Sequence, residues 1–406
     1  MGVRSKCRTL ASGMKEGRQA WLVVCAAFAS MFTVFGAVYS FGAFFEPMAR
    51  EFGIGQGLTS VLFAVTAFTY FGLGALSGAV ADRLGPRRVV LAGALAMAAG
   101  LALTAVSPSF CIGCVTYGLG VGIGTACGYV PMVGAVGGWF DRRRALAIGI
   151  AVSGIGAGTL VVPPIAAVLI ERLGWRQTDL VLAAVSLVVL VACGLAAEAP
   201  PVRAPAPGGL GRVVRTRPFA LLYGTGLFSG FALFLALVHI VPYALHMGSA
   251  PLAAAGLVSV VGVGSVAGRL ALGGAAERLG PVTAFRVSMA ILLLSYLVWL
   301  VAPGYPLLAA FALALGLGYG GWVALSPSVM AELFGPEGLG GSVGALYTSA
   351  GIGALFGPPF AGFLVDATGG YRPAIVAAIA LAAASVLLVA LLPARGPWPA
   401  WRSADR

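Results

Sequence analysis

GVGSVAGRLALGGAAERLGP, Gly262 to Pro281, holds Arg269, the one strongly charged side chain set well back from the ends of the long apolar runs read from this chain. A guanidinium in the middle of a bilayer-crossing helix costs about 2.5–3.5 kcal/mol on insertion scales, so such an arginine faces a wet cavity or a partner and marks function. The same stretch closes on ERLGP, and DRLGP stands at Asp82 to Pro86. One segment therefore carries both a candidate anion site and half of an internal duplication.

The residues around it set the class. Of 406 residues, 60% are hydrophobic and only 9% charged. No arrangement of soluble domains buries that much apolar surface, and the chain reads as an integral membrane protein. Apolar runs fall at roughly 21–45, 57–81, 89–106, 110–138, 145–170 and 180–197, then at 219–245, 252–276, 283–302, 307–334, 341–365 and 374–392. Each is near or above the ~20 residues a spanning helix needs, and none shows the alternation of a barrel strand. The expected fold is all-α, with twelve transmembrane helices.

The net charge of +12 would suggest a nucleic-acid partner in a soluble chain. Here the basic residues sit in short loops between apolar runs, where they set orientation, so no nucleic-acid partner is expected. With the N-terminus inside, twenty arginines and lysines fall on inner segments and four, Arg50, Arg172, Arg176 and Arg372, on outer ones. Both termini are therefore expected in the cytoplasm, with the chain multi-pass in the plasma (inner) membrane. The first run is longer than a signal-peptide core and reads as a retained helix. Cys111 and Cys114 form a CxxC with no second pair and no nearby histidine, so packing residues are expected, with no metal or cofactor.

The duplication is regular. Asp82 and Glu277, the prolines Pro163-Pro164 and Pro358-Pro359, Glu171 and Asp366, and Gly156 and Gly351 are all 195 residues apart. A constant offset near half the chain length signals two pseudo-symmetric six-helix bundles. The expected division is a tail at 1–19, one bundle at 20–197, a Pro-, Gly- and Arg-rich linker at 198–216, the second bundle at 217–393 and a tail at 394–406. Glycines every fourth residue at Gly120, Gly124 and Gly128, and the Gly149 and Ser153 pair, predict close helix approach.

In Gly78, Asp82, Arg83, Gly85, Arg87 and Arg88 the chain resembles the major facilitator superfamily over essentially its full length, with Pro86 where an arginine is common. YSFGAFFEPM at Tyr39 to Met48, GYVPM at Gly128 to Met132 and GRLALGGAAERLG at Gly268 to Gly280 are most similar to the bacterial monocarboxylate-transporter and oxalate/formate-antiporter branch. The resemblance implies a conformational latch in which Asp82 and its arginines, echoed by Glu277 and Arg278, hold the bundles together on the inner side while the outer side is open. A carboxylate can do this by meeting a helix N-terminus.

A guanidinium stays protonated and matches a carboxylate bidentately, so Arg269 selects an organic anion and does not itself carry a proton. In the branch that the chain resembles, an arginine at this place binds the substrate carboxylate. Animal members carry an aspartate where this chain has Ser265, one turn away on the same face, and a lysine in the first helix where this chain has Tyr39. The only lysines here are Lys6 and Lys15, both in the tail, so a single buried cation favours a monoanion over a dicarboxylate. Tyr39, Tyr129 and Tyr347 are further candidates for substrate binding, Tyr319 a weaker one, and His239 a candidate proton site. No aspartate or glutamate falls mid-run in this reading, which argues against a drug/proton antiporter.

The expected function is secondary transport of a small, lactate- or pyruvate-like monocarboxylate by alternating access, through proton symport or anion exchange, with the lipid bilayer as host and a monomer sufficient. Carriage of another solute, such as an amphipathic drug, and a non-transporting sensor of the same fold are the alternatives. An enzyme is not expected, since no intramembrane His/Asp/Glu cluster and no soluble domain appear.

Overall fold

A computed structural model describes residues 17–140, 144–199, 210–335 and 339–392. The expectations for the two tails, for most of the linker and for Arg142 and Arg143 lie outside those residues. Twelve helices in the described residues are long and apolar enough to cross a membrane. They are α1 (Arg18–Phe52), α2 (Gln56–Leu84), α3 (Pro86–Ala105), α4 (Phe110–Trp139), α5 (Arg144–Leu173), α6 (Trp175–Ala196), α7 (Arg217–His246), α8 (Pro251–Leu279), α9 (Pro281–Leu300), α10 (Tyr305–Phe334), α11 (Leu339–Thr368) and α12 (Arg372–Ala390). A turn at Ser40 interrupts α1.

The helix ends follow local chemistry. Gly85 and Gly280 take positive φ, at 86° and 84°, which only glycine adopts without cost, and each is followed by a proline that opens the next helix. The two glycines are 195 residues apart. So are both ends of α2 and α8, of α3 and α9, of α4 and α10, and of α5 and α11. The duplication seen at a few sequence positions is thus a duplication of helix lengths and turns.

Packing repeats too. In the first bundle α1 lies on α4, α5 and α6, α2 on α4, and α3 on α4 and α6. In the second, α7 lies on α11 and α12, α8 on α10, and α9 on α10 and α12. The bundles meet through α2 against α11 and α5 against α8, a pair of contacts that the duplication exchanges. At Gly100 and Gly120 the backbones of α3 and α4 touch, and the Ser30 hydroxyl donates to the Gly128 carbonyl at 2.7 Å, so this glycine face packs as expected. Gly149 does not: it is exposed, with open space where a Cβ would stand, because it lies on the uncovered face of α5 while Ala147 and Ala151 are buried.

Candidate functional site

The bundles close on one another at the side away from the basic loops. There the Asp366 carboxylate, near the end of α11, accepts the backbone N–H groups of Gln56 at 3.0 Å and Gly57 at 2.8 Å, the first residues of α2. A carboxylate at a helix N-terminus satisfies orphan donors and meets the positive end of the helix dipole. Tyr371 donates to Gln56 Oε1 at 2.7 Å beside it. One turn deeper, His239 of α7 contacts Ser60 Oγ of α2 at 3.1 Å and the Pro358 carbonyl of α11 at 2.9 Å. On the other seam, Ser259 of α8 donates to the Leu160 carbonyl of α5 at 2.6 Å. Pro164 cannot supply the N–H that would meet that carbonyl within the helix, and the partner bundle supplies a hydroxyl instead.

Arg269 lies at the base of this closed region, on α8, with Nη1 beside Gly156 of α5. All three guanidinium nitrogens are buried, and none has a hydrogen-bond partner. The group does not point outward to where acyl chains would be. Its Cζ stands 6.0 Å from the ring centre of Tyr319 on α10, within cation–π range. The Tyr319 hydroxyl meets that of Tyr39 at 3.1 Å, a hydrogen bond that joins α1 of one bundle to α10 of the other.

Of the expected site residues, Arg269, Ser265, Tyr39, Tyr129 and Tyr347 come together. Ser265, one turn from Arg269, is buried with its hydroxyl unpartnered. Tyr129 lies edge-on to Phe35 at 5.4 Å, and Tyr129 and Tyr347 both feel the charge of Arg269. Tyr347 also donates to the Val323 carbonyl at 3.3 Å and packs near Trp322. His239 sits apart, among Phe45, Tyr371 and its two tethers. Asp82, Arg83, Arg87, Arg88, Glu277 and Arg278 are exposed, Gly78 and Gly85 half-buried, and no partner meets Asp82 among the described residues.

Three features go beyond the sequence reading. Tyr319, a weaker candidate on sequence, has its ring within cation–π range of the guanidinium. Tyr70 of α2 reaches the same cluster with a buried, unpartnered hydroxyl, and the signal for it was the offset, since it stands 195 residues before Ser265. The third corrects an expectation. Asp179 is a wholly buried acid inside a spanning helix, with no partner for either oxygen. Hydropathy starts the sixth run at 180, whereas Gly174, with a φ of 81°, lets α6 begin at Trp175 and carries Asp179 inside. Arg176, read as a loop charge, belongs to the same first turn. Its Nε bonds Glu51 Oε1 at 2.7 Å while Trp175 donates to the other oxygen of Glu51.

The arrangement offers one permanent cation, several phenolic hydroxyls and aromatic walls at the junction of two bundles. A guanidinium and phenols are groups of a kind that suit a small anion, and no three His, Cys, Asp or Glu among the described residues stand together as a metal site.

Comparison with known proteins gives a consistent result. The model of the Major Facilitator Superfamily matches residues 26–305 and 255–405. Monocarboxylate transporter 11 of Mus musculus is 32% identical over 379 residues, 89% of this chain and 84% of that one, and monocarboxylate transporter 13 of Bos taurus is 31% identical over 398 residues, 93% and 90% of the two chains. Among solved structures, a bacterial homologue of the human lysosomal transporter Spinster, inward-facing and occupied, superposes with a TM-score of 0.74 at 16% identity, covering 91% of this chain and 96% of that one. Helix count, duplicated packing and these matches agree: the chain is a multi-pass membrane transporter, not an enzyme, and belongs to the major facilitator superfamily, with monocarboxylate transporters among its relatives.

Proposed function

We propose that this protein carries a small organic monocarboxylate across the membrane by alternating access, with Arg269 binding the carboxylate between the bundles. The observation that carries the reading is the guanidinium itself: three buried nitrogens without a partner, at the base of a region where both bundles meet. Such a cation costs free energy until an anion meets it, and a carboxylate matches it bidentately. Relatives named monocarboxylate transporters add support. The absence of a second described cation beside Arg269 favours a monoanion of lactate or pyruvate size.

With the basic side taken as cytoplasmic, the closed Asp366 side is external and the conformation faces inward. Asp82, exposed and unmet here, then acts in the other conformation, closing the cytoplasmic side as the bundles rock. The bundles at 20–197 and 217–393 are the moving bodies. His239, held by two tethers among aromatic rings, fits a tie between α2, α7 and α11 better than a proton carrier, which leaves proton symport and anion exchange to be separated by experiment.

The test is uptake of labelled L-lactate and pyruvate into proteoliposomes, with an imposed pH gradient and, separately, with unlabelled substrate inside. Saturable uptake driven by either condition is expected, and the effective condition identifies symport or exchange. Folded protein that takes up no monocarboxylate under either condition would overturn the proposal.

A further inference from the structure

Among the described residues, ten buried side-chain polar atoms have no hydrogen-bond partner, and five of them belong to Arg269, Ser265 and Tyr70. The others are spread over Asp179, His239, Tyr296 and Trp299, on α6, α7 and α9. Buried polar groups in folded proteins are almost always paired, so such a concentration points to a group supplied from outside the chain. Arg269 and Ser265 account for the carboxylate end of a bound acid. Tyr70 is left over.

Its position is specific. Tyr70 and Ser265 occupy the same place in the two halves, 195 residues apart on α2 and α8. The Tyr70 ring packs against Phe71 at 4.3 Å and Phe35 at 5.9 Å, and its hydroxyl lies within electrostatic reach of Tyr39, Tyr129 and Tyr319, the rings that also surround Arg269. Tyr39 and Tyr319 share one hydrogen bond between their hydroxyls. The Tyr70 hydroxyl lies close enough to that of Tyr39 to interact with it, but outside hydrogen-bond geometry, and no other group meets it among the described residues.

We propose that Tyr70 is a specificity-determining residue of the Arg269 site, its hydroxyl hydrogen-bonding a second, uncharged oxygen of the substrate, as in a hydroxy or oxo monocarboxylate. The inference rests on the carboxylate reading of Arg269. A phenol suits the task because it donates to a ketone oxygen and both donates to and accepts from a hydroxyl. It is neutral, so it adds no preference for a second charge. A site that commits a buried hydroxyl to a substrate oxygen discriminates strongly against the analogue lacking it, because the hydroxyl is then left unmet. An unsubstituted short-chain acid is therefore the poorer substrate.

The experiment compares native protein with Tyr70→Phe, which keeps the ring and removes only the hydroxyl, using L-lactate, pyruvate and propionate as probes in proteoliposomes. Thermal melting of both proteins checks that packing is retained. The expected result is a rise of about fivefold to tenfold in KM for lactate and pyruvate, with the KM for propionate unchanged, so that the native preference collapses. Equal changes for all three acids, or no change for any, would overturn the role of Tyr70 while leaving the Arg269 site standing. Native protein that neither binds nor transports any of the three would overturn the carboxylate reading, and this inference with it.

Discussion

Helices α2 and α8 have the same length, ends 195 residues apart and equivalent partner helices, yet beyond the inner end they share, Asp82-Arg83 and Glu277-Arg278, the side chains at the site differ. Where α8 carries Arg269, α2 carries Gly74, and where α8 has Ser265, α2 has Tyr70. At their first residues the contrast continues. Gln56 and Gly57 of α2 offer two N–H groups to Asp366, whereas α8 opens on Pro251, which has no N–H to offer Glu171, the counterpart of Asp366. The duplication preserved the framework that rocks and let the two inner faces diverge, so the cation belongs to one half and the closing carboxylate reaches across from the same half to the other.

The largest effect expected from breaking this comparison comes from the cation. Arg269→Ala should lower lactate kcat/KM by about a hundredfold or more, since it removes a buried charge that binds charge. Adding Gly74→Arg should not restore transport: Gly74 is buried with Val130 of α4 3.3 Å from where a Cβ would stand, so an arginine there must first displace that side chain and starts from a different helix. Recovery in the double variant would mean that any central cation serves.

Second in size is the clasp at α2. Asp366→Ala removes two charge-assisted hydrogen bonds worth together about 2 kcal/mol, which should move the balance between closed and open forms by about thirtyfold. Distances between spin labels at the exposed helical positions 50 and 367, measured by pulsed electron resonance on a background without native cysteines, should gain a long component. An unchanged distribution would show that packing alone closes this side. The equivalent change on the other half, Glu171→Ala, should leave that distribution as it was.

The smallest effect is expected at Asp82. It is exposed and unmet in this conformation, so Asp82→Asn should alter stability by less than about 0.5 kcal/mol. If it acts only after the bundles rock, the transport maximum should fall severalfold at unchanged KM. A large loss of melting temperature would place its role in the present conformation instead.

Much of this was legible in the sequence, and the reasons are physical. Runs of about twenty apolar residues have few options in a bilayer, and the offset between Asp82 and Glu277 reported a repeat that the helix ends follow closely. Arg269 was conspicuous because a buried guanidinium is rarely tolerated without a task. Tyr70 was not, because a phenol mid-helix is unremarkable until its hydroxyl proves to lack a partner. Asp179 was lost because where α6 begins depends on the backbone freedom of Gly174, which hydropathy does not register. The clasp between Asp366 and α2 joins residues more than 300 positions apart, a pairing that only the packed bundles bring about.

The central claim is that the Arg269 guanidinium binds the substrate carboxylate, and calorimetric titration of purified protein with L-lactate tests it most directly. The account expects saturable binding to the native chain, binding at least about tenfold weaker in Arg269→Lys, where the charge remains without the planar fork, and none in a folded Arg269→Ala. Equal affinity in the native and Arg269→Ala proteins would contradict it.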